Sequence, residues 1–366
     1  MRFLNTAEYT HGDADRTAVL LVNLGTPQAP TATAVRRYLR EFLSDPRVVE
    51  IPRPLWWLLL NAVILPVRPR RSAAKYAAIW SAEGSPLLAH SEQQARLVSA
   101  EVARRGLDLE VALAMRYGEP SIGAVLQRLR AARVRRLLVL PLYPQYSATT
   151  TGSALDGVFH VLERCRDVPE ARWVRGFHDE GGYIGALRDS IKAYWDANGW
   201  PDRLVMSFHG LPKRNLMLGD PYHCECQKTA RLLAEALGLQ REEYVVCFQS
   251  RFGRAQWLQP YTAATLRELG RTGLRRVDVV CPGFVADCLE TLEEIGLEGR
   301  REFLTAGGQQ LHYIACLNDS ASFVRTLVDL IERHTQGWPV TPAARAGRER
   351  QAQEGAQLAR RMGAPR

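Results

Sequence analysis

Arg203-Leu204-Val205-Met206-Ser207-Phe208, followed at once by His209-Gly210-Leu211-Pro212, decides how this chain folds. The first six residues form a short apolar run that reads as a buried strand, and Gly210 and Pro212 end it abruptly. A histidine at that stop lies at the carboxyl end of a strand, where open α/β sheets place their ligand crevice. Further on, Val279-Val280-Cys281-Pro282-Gly283-Phe284 repeats the pattern of strand and Pro-Gly break. It leads into Val285-Ala286-Asp287-Cys288-Leu289-Glu290-Thr291-Leu292-Glu293-Glu294, the start of a helix rich in carboxylates.

Outward from this centre, alternating strand and helix patterns fill the chain. After the central run come a helix over 223–237, a strand over 243–249, a helix over 260–270 and a strand over 276–281. A helix over 288–296, a strand over 311–316 and a helix over 320–333 follow. Upstream, Ala18-Val19-Leu20-Leu21-Val22-Asn23-Leu24, closed by Gly25-Thr26-Pro27, reads as a buried parallel strand. A helix over 31–43 has Val35, Tyr38, Leu39 and Phe42 on one face. Helices over 70–80 and 86–105, a strand over 109–115, a helix over 121–132 and a proline-stopped strand over 136–144 come next. A connecting strand and helix cover 171–198. The turns at Leu24-Gly25-Thr26-Pro27 and His209-Gly210-Leu211-Pro212 have the same shape, and each half has a later strand stopped by proline, at Pro141 and Pro282. The expectation is an α/β protein of two related doubly wound halves with parallel sheets facing a central cleft.

The bulk composition is that of a soluble globular chain of about two domains: 366 residues, 46% hydrophobic and 24% charged. Part of the net charge of +9 comes from the Arg-rich stretch 336–366, whose composition predicts a basic tail that is either flexible or a loose helix. Residues 1–16 read as a loose arm. Lys and Arg are scattered rather than interleaved with aromatics, which argues against a nucleic-acid partner. Seven cysteines at irregular spacing argue against a disulfide framework. No signal-peptide pattern and no apolar run of spanning length occurs, so a cytoplasmic protein is expected. Gly25-Thr26-Pro27 is too short for a dinucleotide loop, which argues against a nucleotide-using enzyme.

Several stretches carry chemistry. On a helix begun at the Pro-Gly break, Asp287, Glu290 and Glu294 at i, i+3 and i+7 share a face. They form either a solvated acidic stripe or, opposite a neutral imidazole at His209, a constellation suited to a divalent metal or to removing protons from a bound substrate. The segment Pro52-Arg53-Pro54-Leu55-Trp56-Trp57-Leu58-Leu59-Leu60-Asn61-Ala62-Val63-Ile64-Leu65-Pro66, followed by Arg68, Arg70 and Arg71, is the most apolar in the chain. It reads as a core helix, as a segment resting in a membrane interface, or as the lip of a pocket for an apolar ligand. The hydroxyl-rich loop 145–153 can cap a helix or hold an anion. His223-Cys224-Glu225-Cys226 fits a helix start with two free thiols better than a zinc site.

Six of these stretches, in order from about residue 18 to 320, resemble the ferrochelatases. They are Leu21-Val22-Asn23-Leu24-Gly25-Thr26-Pro27, Tyr143-Pro144-Gln145-Tyr146-Ser147, Ser207-Phe208-His209-Gly210-Leu211-Pro212, Gly219-Asp220-Pro221-Tyr222, Phe248-Gln249-Ser250-Arg251-Phe252-Gly253 with Trp257-Leu258, and Asp287-Cys288-Leu289-Glu290-Thr291-Leu292. The resemblance implies two Rossmann-like halves, here 16–170 together with a C-terminal helix at 320–335, and 171–319. It implies insertion of ferrous iron into protoporphyrin IX to form haem. His209 and Glu290 are then the catalytic and metal-site residues, with Asp287 and Glu294 on an acidic proton or metal path. Arg116, Tyr117, Trp257, Leu24 and Phe284 become porphyrin-binding residues, and Trp56, Trp57 and Leu59 a lip touching porphyrin and membrane. Ferrous iron is substrate, and no permanently bound cofactor is expected. Some ferrochelatases hold an iron–sulfur cluster on cysteines near the C-terminus and one in the Tyr-Pro-Gln-Tyr-Ser loop. With Ala148 in that loop and Cys316 as the last cysteine, none is expected here. A coproporphyrin substrate, another metal chelatase and a non-catalytic tetrapyrrole carrier are the alternatives.

Overall fold

The computed structural model describes residues 3–4, 11–253 and 255–364; the expected N-terminal arm lies largely outside them. Eight strands form two sheets: β1 (Arg16–Gly25), β2 (Glu110–Tyr117), β3 (Val134–Pro141), β4 (Glu170–Trp173), β5 (Arg203–His209), β6 (Tyr244–Gln249), β7 (Arg276–Val280) and β8 (Gln310–Tyr313). The spatial orders are β2-β1-β3-β4 and β6-β5-β7-β8, parallel throughout, so the second half repeats the topology of the first. In each half the chain order reverses beside the central strand, the geometry that opens a crevice at the strands' carboxyl ends.

Strand alternation assigns the side chains. Val19 and Leu21 of β1, with Leu204, Met206 and Phe208 of β5, enter one core shared by both halves. Ala18, Leu20 and Val22 pack under the outer helices of the first half, and Val205 does so in the second. Ser207 and His209 therefore sit on the same side of β5, away from the shared core. The helix Ala321–His334 packs on Pro86–Arg104 and on Gly181–Asn198, joining the C-terminus to both halves.

Polar contacts staple the halves along the back of the cleft. Gln145 Nε2 donates to Thr229 Oγ1 (2.9 Å) and to the Pro282 carbonyl (3.0 Å), and Tyr146 N–H donates to Glu225 (2.6 Å). Ala148 N–H and the Ser147 hydroxyl donate to Asp220 (2.8 and 2.9 Å). The hydroxyl-rich loop thus caps its own wide helical turn and is tied down by the Asp220 carboxylate.

Two expectations are corrected, and the basic tail takes one of its two readings. Helical structure runs unbroken from Arg53 to Ile79 through Pro66 and Pro69, because a π-helical turn at Leu60–Ile64 shifts the hydrogen-bond register where Pro66 cannot donate. The helix expected at 288–296 is one short turn, Leu289–Thr291, then the π-helical run Leu292–Gly299 and an α-helical turn Arg300–Thr305. The basic stretch is a 20-residue helix, Pro342–Arg361, anchored by Arg345 and Arg348 on Asp108 (3.4 and 2.8 Å).

Candidate active site

Between the two sheets' carboxyl ends lies a cleft of about 1350 Å³, lined from the first half by Leu24, Tyr38, Phe42 and Tyr76 and from the second by His209, Trp257, Phe284 and Glu290. It is larger than the common range for drug-sized ligands and mostly apolar, as a flat macrocycle requires.

His209 is the last paired residue of β5, opposite Gln249 of β6. Its Nδ1 lies 2.7 Å from the Gly210 carbonyl. A carbonyl can only accept, so Nδ1 is the donor in this contact and Nε2 is the ring nitrogen left outside it. Gly210 is required here: a Cβ would meet the Gln249 carbonyl at 2.6 Å and the Trp257 ring at 3.2 Å. That close approach lets Trp257 stand beside His209, its indole Nε1 buried without a hydrogen-bond partner.

The carboxylates come from the irregular helix. Glu290, Glu293, Glu294, Glu298 and Glu302 all line the cleft, because the wide turns of Leu292–Gly299 keep this series on the inner side. Gln249 fixes the row's inner end, its Nε2 donating to the Glu290 carbonyl (2.6 Å) while its Oε1 accepts from Ser207 Oγ (2.7 Å). Burial raises the pKa of Glu294, and neighbouring Glu290 raises it further. Hydrogen bonds from Ser250 N–H (2.7 Å) and Oγ (2.5 Å), together with nearby His209, only partly oppose this. Tyr38 and Tyr76 face Glu290 from the first half, and burial lifts both phenols well above their ordinary pKa.

Of the expected site residues, His209, Glu290, Glu294, Trp257, Leu24, Phe284 and Trp56 meet in this cleft. Asp287 does not. The helical turn begins only after Cys288, so helix spacing does not apply to Asp287. Its carboxylate is turned inward, accepting from Tyr313 (2.5 Å), Asn318 (2.7 Å) and Thr291 (3.1 Å). Arg116 and Tyr117 are likewise not on the cleft wall. Arg116 donates to Asp45 (2.6 Å) and Ser153, the Tyr117 hydroxyl to Asp45 (2.8 Å), and the Tyr117 ring lies behind Phe42. Together they anchor Asp45, just before the segment 47–51 that does line the cleft. The lip splits: Trp57 and Leu59 are 66% and 39% exposed, whereas Trp56 is 4% exposed and donates to the Leu43 carbonyl.

Sequence reasoning missed Tyr76, Gln249, Lys75 and Arg68. Arg68 lies 4.6 Å over the Phe252 ring, in the cleft wall. Only Gln249 carried a signal, as part of the Phe248-Gln249-Ser250 match. All seven cysteines are free thiols: Cys224 is exposed, and Cys226 is buried on the helix Tyr222–Leu237. Among the described residues no three His, Cys, Asp or Glu groups gather into a ready-made metal site.

Paired parallel sheets around such a cleft are the fold of the metal-inserting chelatases. SirB from Bacillus subtilis with Fe3+ superimposes with a TM-score of 0.52 at 13% identity, covering 88% of this chain and 96% of that one. The sirohydrochlorin chelatase SirB from Bacillus subtilis subspecies spizizenii, in complex with cobalt, gives 0.50 at 10% identity, over 88% and 97%. In sequence, the Ferrochelatase family model matches residues 16–335. Proteins named Ferrochelatase from Herminiimonas arsenicoxydans and Janthinobacterium sp. (strain Marseille) are 58% and 56% identical over the full length of both chains. The chain belongs to the ferrochelatase family and is a metal-inserting enzyme.

Proposed function

We propose that this enzyme inserts ferrous iron into protoporphyrin IX, with release of two protons, to form haem. One observation carries the reading: an imidazole and a row of carboxylates line the same mostly apolar cleft of about 1350 Å³. Metal insertion replaces two pyrrole N–H protons by one divalent ion. His209 Nε2 is placed to accept one proton. The carboxylates of Glu290 and Glu294 can take the other, and the raised pKa of Glu294 suits a group that must hold a proton briefly. The same carboxylates give the arriving cation a path of oxygen ligands. The apolar walls hold the macrocycle and favour its puckering, a contribution of roughly 1–5 kcal/mol.

Of the cations lining the cleft, Arg47 is paired with Asp156, Lys75 with Glu293 and Glu298, and Arg214 with Glu50, whereas Arg68, Arg71, Lys213 and Arg251 form no ion pair among the described residues. Charge therefore does not choose between a porphyrin with two carboxylates and one with four, and the protoporphyrin reading rests on the apolar lining of the cleft. The exposed apolar face of Leu55, Trp57, Leu58, Leu59 and Val63 supports peripheral contact with a membrane surface, from which an apolar porphyrin would enter. Among the described residues no helix is long and apolar enough to cross a membrane.

The test follows the porphyrin absorption bands as the purified protein meets ferrous iron with either protoporphyrin IX or coproporphyrin. Faster insertion into protoporphyrin IX is expected. Turnover of coproporphyrin with protoporphyrin left unchanged would overturn the substrate assignment.

A further inference from the structure

We infer that Lys75 is a resident counter-cation at the outer end of the carboxylate row, which an incoming metal ion must displace, so that this residue sets the enzyme's affinity for its metal substrate. Lys75 belongs to the helix Leu65–Ile79 of the first half. Its Nζ crosses the rim of the cleft to donate to Glu293 Oε2 at 2.8 Å and Glu298 Oε2 at 2.9 Å, on the irregular helix of the second half. Lys75 and Glu298 are 45% and 40% exposed and stand at the mouth, whereas Glu293 is 14% exposed, one step inward. Glu294 and Glu290 continue the row toward His209. Arg301 Nη2 also lies 3.9 Å from Glu298.

An ammonium held by two carboxylates occupies the position a divalent cation would take first. It is a single charge on a flexible four-carbon stem, so it can swing aside without moving backbone. A doubly charged ion gains more from the two carboxylates than the ammonium does, and a monovalent ion gains no more. Burial works against the charge of Lys75, but the hydrogen bonds to Glu293 and Glu298 outweigh it and keep the pKa above its ordinary value. The ammonium therefore persists at neutral pH and is not lost simply by deprotonation.

The inference rests on the metal-insertion reading, and its test keeps the two separate. Zinc binding to the full-length protein is measured without porphyrin, by competition with a chromogenic chelator, beside the KM values for zinc and protoporphyrin in the insertion assay. Lys75→Met should bind zinc roughly three- to tenfold more tightly, the scale of losing two partly exposed ion pairs, with the metal KM falling in step and the porphyrin KM unmoved. Lys75→Arg should restore the original affinity. Unchanged or weaker zinc binding in Lys75→Met would overturn the inference, as would a shift confined to thermal midpoint and porphyrin KM, which would make Lys75 a latch between the halves. Tighter zinc binding in a protein that inserts no metal would uphold the inference and defeat the reading beneath it.

Discussion

The two halves share a strand order and differ in what they place at equivalent positions. The last paired residue of β1 is Gly25, opposite Tyr117; the last paired residue of β5 is His209, opposite Gln249. At Gly25 φ is +106° and a Cβ would sit 1.8 Å from the Tyr117 carbonyl oxygen, so no side chain fits where the second half carries its imidazole. After the third strand each half has a wide π-helical turn, with Thr149 and Thr150 in the first and the glutamate row in the second. Tyr117 directs its hydroxyl to Asp45, behind the wall, whereas Gln249 directs its amide to the Glu290 carbonyl in the cleft lining. One topology thus serves twice: the first half supplies an apolar and phenolic wall, the second an imidazole and the carboxylates. Duplicated architecture need not mean duplicated chemistry.

Substitutions can break that contrast at graded cost. The largest effect is expected from His209→Ala, which removes the only imidazole in the cleft wall among the described residues. Insertion followed by porphyrin absorbance should fall by roughly 10²- to 10⁴-fold, while porphyrin still binds, as read by fluorescence quenching. Near-normal turnover would return the chemistry to the carboxylates alone. Asp45→Asn attacks the first half's anchor and should cost about 2–3 kcal/mol of unfolding free energy, the usual loss for a broken buried pair reduced because Arg116 retains some solvent. Burial opposes the Asp45 charge, but hydrogen bonds from Ser153, Arg47 N–H and Tyr117, with the Arg116 charge, hold its folded pKa below the ordinary 3.8. Its contribution is therefore fully present above that value and lost as pH falls through the folded pKa. The gap in denaturation midpoint between wild type and Asp45→Asn should narrow on acidification below about pH 4. Smaller again, replacing exposed Trp57 and Leu59 by serine should weaken sedimentation with anionic liposomes several-fold and leave the insertion rate in detergent unchanged. Equal sedimentation would remove the membrane contact.

Much of the fold was legible because its strands are doubly buried. Runs such as Ala18–Leu24 and Arg203–Phe208 have few readings other than parallel strands, and their Gly and Pro stops mark the crevice. What sequence could not supply was long-range partnership. Nothing local indicates that Arg116 is claimed by Asp45, 71 residues away, or that Asp287 is claimed by Tyr313 and Asn318. The placement of Asp287 also turned on which residue caps the helical turn, a one-residue matter that spacing cannot decide. Pro66 misled because the register shift just before it removes the usual conflict, whereas Pro69 sits inside the α-helix Leu65–Ile79. The tail's composition left a loose helix and a disordered segment open, because the contact with Asp108, in the loop before β2, is invisible in the sequence.

The hydrogen bonds from Gln145, Tyr146 and Ala148 to Thr229, Pro282, Glu225 and Asp220 all cross from one half to the other, with Gln145 itself in the cleft lining. Any change in the spacing of the two walls at this point would have to break several of these bonds together, each leaving a polar group without its partner.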